Sequence, residues 1–120
     1  DAVLGQGGLG TLIRVWERCQ RDGRFHSSLV RRELVAEGLD LEVQAGADLG
    51  LGPSVITVGS RGGGEVYLLP SFNDSPAAVR EWFSNQGRSG RMTRIDHLVR
   101  PAILEKLGGE YSLKEEGVVA

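Results

Sequence analysis

Leu9, Leu12, Ile13, Trp16 and Cys19 recur at intervals of three and four, and the polar Arg14, Glu17, Arg18 and Arg21 fall off that stripe. The period predicts a helix over about residues 11–21. Asp22-Gly23 stops it, and Ser27 or Ser28 can cap a second helix carrying Leu29, Val30, Leu34 and Val35 before Gly38. Together they make a helical hairpin. The period then changes. Leu39, Leu41, Val43 and Ala45 alternate with Asp40, Glu42 and Gln44, as in a strand with one buried and one wet face. SVITVGS (54–60) and EVYLLPS (65–71) are nearly continuous apolar runs rich in branched side chains, which predicts central strands covered on both faces. Arg61-Gly62-Gly63-Gly64 is short enough to join them as a hairpin.

Helical spacing returns after Phe72. Asn73-Asp74-Ser75-Pro76 supplies a cap followed by proline at the first helical position, and Val79, Trp82 and Phe83 form the stripe of a helix ending near Gly87. Thr93-Arg94-Ile95-Asp96 has a capping-box pattern ahead of Ile95, Leu98, Val99, Ile103 and Leu107. Pro101 lies inside that stripe, and a mid-helix proline costs on the order of 3 kcal/mol, so a kink or two abutting helices is predicted. Residues 110–120 read as a small terminal hairpin or as one strand joining the main sheet. The expected architecture is α+β: a glycine-rich lead-in at 1–10, then one domain over 11–120. That domain has a three- to four-stranded, mainly antiparallel sheet, an N-terminal helical hairpin and two C-terminal helices. Trp16, Trp82 and Phe83 are expected to share its core.

Composition narrows the chemistry. A chain of 120 residues with a net charge of −2 has no global attraction for nucleic acid or an anionic membrane, so any such contact needs a local patch. One cysteine, Cys19, excludes an internal disulfide framework and a cysteine-cluster zinc site. No apolar run approaches the roughly eighteen residues of a membrane span, which predicts a soluble, cytoplasmic chain. The start at Asp1 without a methionine points to a fragment of a larger protein. Charge is also split along the sequence. Residues 11–32 carry six arginines against Glu17 and Asp22, whereas residues 33–60 carry five acids and no base. Such blocks can pair two faces of one domain, match the faces of neighbouring copies, or simply be solvated.

Motifs that would carry catalysis are thin. Gly5, Gly7 and Gly10 have the spacing G-x-G-x-x-G, but only Ala2-Val3-Leu4 precedes them and a second helix stands where a parallel strand should follow. No dinucleotide or other cofactor is expected. The RGGG turn lacks the helix N-terminus and Lys-Ser/Thr of a phosphate loop and reads as a tight turn. Cys19 sits on a buried stripe, where a packed thiol is expected rather than a nucleophile. Asp96 and His97, adjacent in sequence, cannot form a dyad on a helix. His26 and His97 have no ligand spacing, so no metal site is expected.

One segment concentrates positive charge. In residues 87–100, GRSGRMTRIDHLVR, Arg88, Arg91, Arg94 and Arg100 oppose only Asp96, and the glycines let a ligand approach the backbone. Helix, helix and terminal hairpin over 76–120 also follow the element order of winged-helix DNA readers, although Lys114-Glu115-Glu116 puts acids where a wing would meet phosphate. The missing catalytic set, the split charge and the prospect of an open sheet edge favour a non-enzymatic protein–protein interaction or self-assembly module. The runner-up is a nucleic-acid-binding domain using the arginine loop 88–94, followed by an enzyme with a glycine-lined pocket.

Overall fold

A computed structural model describes residues 6–60, 62–74, 76–86 and 94–120. Helix α1 spans Gln6–Asp22 and helix α2 spans Ser27–Ala36. Leu12, Val15, Trp16 and Cys19 are the buried stripe of α1, and Val30 and Leu34 that of α2, while Val35 stands exposed. Gly23 ends α1 at a φ of 71°, which only glycine adopts cheaply, and the Arg24 N–H closes back on the Cys19 carbonyl. The cap of α2 is His26 rather than either serine: its Nδ1 accepts from the Ser28 N–H at 3.1 Å. Arg18 ties the two helices together, donating to Glu37 at 2.9 Å and Glu33 at 3.3 Å, with Arg14 at 4.0 Å from Glu37. Part of the split charge therefore pairs inside the helical hairpin.

Eight strands follow among the described residues: β1 Glu42–Ala45, β2 Val55–Gly59, β3 Glu65–Pro70, β4 Phe83–Asn85, β5 Leu98–Arg100, β6 Ala102–Leu107, β7 Glu110–Glu115 and β8 Gly117–Val119. The main sheet has five strands in the order β1-β2-β3-β6-β7, antiparallel at every pairing. A second sheet has the order β4-β8-β5, with β4 parallel and β5 antiparallel to β8. All of β2 and the last four residues of β3 are buried, as continuous apolar runs predict for strands covered on both faces. Trp16 locks α1 to the end of β3, its Nε1 donating to the Pro70 carbonyl at 2.7 Å while its ring meets Phe72 edge-on. Phe83 belongs to the same core and half-buried Trp82 packs against it.

The α+β class holds, but among the described residues the sheet is larger than expected and the C-terminal helices are absent. Residues 76–79 make one short 3-10 turn and Phe83 opens a strand. The stripe Ile95, Leu98, Val99, Ile103, Leu107 does not mark a helix face: Ile95, Leu98, Ala102 and Leu104 are buried, whereas Val99 and Leu107 are exposed. Alternate burial along β6 is the period of a strand. Pro101 accounts for the difference. Inside a helix it would remove a hydrogen bond and clash with the preceding turn; between β5 and β6 it needs no donor, and the chain passes there from the second sheet to the main one. Where the sheets meet, a Cβ on Gly117 would lie 2.4 Å from Phe83 and 2.6 Å from the Ala102 nitrogen, so only glycine fits. The lead-in is also shorter than expected, because α1 already begins at Gln6.

Candidate functional site: an open sheet edge

The arginine segment divides. Arg88 and Arg91, with Thr93, lie outside the described residues. Arg94 is exposed and pairs with Asp96 at 3.5 Å. The stretch it begins is held to α1 by Gln20, whose Nε2 donates to the Asp96 carbonyl at 2.9 Å, and to the C-terminus by Asp96 and His97 N–H groups on the Ala120 carbonyl. Arg100 is structural: its Nε and a terminal nitrogen donate to the Glu116 carbonyl at 3.2 and 2.9 Å, and it lies 3.8 Å from Glu115. No helix begins after Thr93, so the helical N-terminus that would reinforce an anion site, and the helix pair of a winged-helix reader, are replaced by strands.

The glycine motif dissolves as well. Gly7 and Gly10 are helical in α1 rather than in a strand-to-helix turn, and Gly5 lies outside the described residues. Gly62 adopts a φ of 74° in the β2–β3 turn, a hairpin as expected. Cys19 is 1% exposed, and burial pushes its thiol up to about 11, so it is protonated and packed at neutral pH. Among the described residues no group of three His, Cys, Asp or Glu gathers as for a metal, and no helix is long and apolar enough to cross a membrane.

The strongest remaining feature is β7. It is the last strand of the main sheet, and five of its six residues are exposed, Leu113 among them at 41%. Its hydrogen-bonding direction follows from one contact. The Lys106 N–H donates to the Gly64 carbonyl at 2.8 Å, so Lys106 turns its backbone toward β3. Because Lys106 faces Tyr111 across the β6–β7 pairing, Tyr111 turns its N–H and C=O away from β6, and by alternation so does Leu113. Ser112 points inward to Glu105. A two-residue turn, Gly108-Gly109 with φ of 56° and 88°, holds this hairpin in register. Lys114 is the extra residue where the register shifts, and its ammonium reaches across β6 to Glu65 on β3. That hydrogen bond lowers the Glu65 carboxyl below its usual range and raises Lys114.

Beside this edge, the sheet end opens as a shallow groove of about 320 Å³, with Glu42, Gln44, Thr57, Lys106 and Tyr111 on its walls and Gly62, Gly63 and Gly64 at its rim. Sequence reasoning anticipated an open edge without placing it. The signal was present in Gly-Gly followed by Tyr111 and Leu113 alternating with Ser112 and Lys114. Comparison with known protein families, with characterised proteins and with solved structures finds no match to this chain.

Proposed function

We propose that this domain is a non-enzymatic protein–protein interaction and self-assembly module that takes up an extended strand along β7. The observation that carries this reading is the outward backbone of Tyr111 and Leu113 on an edge strand that, among the described residues, has no neighbour on its far side. Unpaired edge amides and carbonyls are a template for a further strand, and the adjacent side chains select it. Tyr111 and Leu113 on one face and the Glu110, Ser112, Lys114 set on the other offer both apolar and charged selection. The nucleic-acid alternative has less behind it, since Arg94 and Arg100 are both engaged by this chain's own acceptors.

Light scattering at low and moderate salt, with and without short DNA and RNA, tests the reading. A mass above the monomer that nucleic acid does not alter is expected. A monomer whose mass rises only with nucleic acid, and falls back steeply as salt is added, overturns it.

A further inference from the structure

Resting on that reading, we infer that the strand taken up by β7 is β7 of a second copy of this chain, paired antiparallel about a twofold axis through Ser112. Hydrogen-bond direction restricts the choice first. Tyr111 and Leu113 face outward and Ser112 faces inward, so outward residues must meet outward residues. This excludes any axis passing between two residues and leaves axes through Tyr111, Ser112 or Leu113.

Charge then chooses among the three. With the axis at Leu113, Glu110 faces Glu116 of the partner subunit and Tyr111 faces Glu115 of the partner subunit, which sets like charges opposite each other. With the axis at Tyr111, Lys114 faces Gly108 of the partner subunit and finds no acid. With the axis at Ser112, Glu110 faces Lys114 of the partner subunit, and the symmetry repeats the pair on the other side. Tyr111 then faces Leu113 of the partner subunit, also twice, covering a leucine that is 41% exposed in the single chain. Glu115 and Glu116 fall opposite the turn glycines, where no side chain opposes them.

The placement of Lys114 also explains selectivity. A lysine at a register irregularity on an edge strand ordinarily repels further strands. Here its ammonium lies in an acidic field from Glu65, Glu105 and Glu115, and only one of its three donors is needed for Glu65. A strand without an acid at the matching position leaves this charge unmatched, whereas β7 itself supplies Glu110. The paired edges join two five-stranded sheets into one continuous sheet. Six-residue strands make a small contact, so the association is concentration-dependent and in the micromolar range or weaker, as for small, transient interfaces.

Sedimentation equilibrium of the whole chain over a wide concentration range provides the test. Glu110→Lys and Lys114→Glu, measured separately, are each expected to weaken self-association about tenfold, because two attractive contacts become repulsive. Mixing those two variants is expected to restore association as a heterodimer, since each then supplies what the other lacks. Leu113→Pro removes an outward N–H that no internal ladder bond uses, and is expected to give a monomer with an unchanged circular dichroism spectrum; if that variant unfolds, the mixing experiment decides alone. Self-association of the unaltered chain that none of the charge variants changes overturns the β7 pairing while leaving self-assembly through another face. A chain that stays monomeric at every concentration overturns the second copy as occupant and leaves the module with a different partner.

Discussion

The β2–β3 and β6–β7 hairpins lie in one sheet, share antiparallel geometry and turn on glycines, yet they do different work. In β2–β3 nearly every side chain is buried, and the end of β3 receives the indole of Trp16. In β6–β7 the core is reached from β6 and, on β7, by the half-buried Tyr111; the other five residues of β7 are exposed, Leu113 and Lys114 among them. Backbone pairing alone does not distinguish them. What distinguishes them is how far each strand is buried, so stability is expected to concentrate in the first hairpin, while the second carries the exposed edge proposed above for recognition.

The sharpest break of this contrast is a cavity under β3. Leu68 is fully buried, and Leu68→Ala is expected to cost roughly 2–5 kcal/mol; Trp16→Ala, which also strands the Pro70 carbonyl, is expected to cost roughly 3–5 kcal/mol. Urea denaturation measures both. If either variant unfolds within 1 kcal/mol of the unaltered chain, as flagged by typical surface values, the first hairpin is not the stability centre.

The turn-side glycines give a smaller, more local comparison. A Cβ at Gly59 would lie 2.9 Å from Val66 and 3.0 Å from the Glu65 carbonyl, so Gly59→Ala should force β2 and β3 apart at a cost of about 1–3 kcal/mol. At Gly108 nothing stands within 4 Å and the only demand is a φ of 56°, which asparagine tolerates. Gly108→Asn is therefore expected to shift stability by no more than about 0.5 kcal/mol. Equal effects in the two hairpins would show that both turns are packed alike.

The same contrast explains what could be read along the chain and what could not. The helical hairpin, β2 and β3 were legible because a single signal dominated each: a three-four stripe around Trp16, and unbroken branched runs at 54–60 and 65–71. Beyond Phe72 two signals competed. Ile95, Leu98, Val99, Ile103 and Leu107 fit a helical stripe in which three of the five are not fully buried, while the strand alternation that forms rests on Ala102 and Leu104, one of them a residue with little strand preference. Pro101 was the arbiter, since a strand boundary accommodates it and a helix interior does not. The candidate edge was hidden for a different reason: which strand ends a sheet depends on β6 returning beside β3, a long-range pairing that no local period records. The charge split was only half legible, because Arg18 between Glu33 and Glu37 requires the helices to lie side by side.

A third prediction isolates recognition from stability on the weak side of the comparison. Leu113 is 41% exposed, so Leu113→Ser is expected to leave the urea midpoint within about 0.5 kcal/mol of the unaltered chain while reducing self-association. A loss of stability comparable to Leu68→Ala would place β7 in the core after all.

The smallest effect lies in the pair that fastens β7 to the rest of the sheet. Lys114 reaches over β6 to Glu65, so β7 is held not only by its ladder but by a strap to β3, the strand at the stability centre. Glu65 has a lowered carboxyl, and its contribution is present above the ordinary carboxylate range and lost as pH falls through the lowered value. Lys114 is raised, so its contribution is present below the ordinary lysine range and lost as pH climbs through the raised value. Both groups are solvent-accessible, which screens the attraction and keeps the effect small. Hydrogen-exchange protection of the Ser112 amide, which faces inward to β6, is accordingly expected to be flat through neutral pH, to fall slightly at both extremes, and to weaken a little on adding salt. Protection in β3 should not follow, because burial rather than charge holds that strand. Lys114→Met should flatten the β7 profile at the acid end; if the profile is unchanged, the strap contributes nothing and the edge is held by its ladder alone.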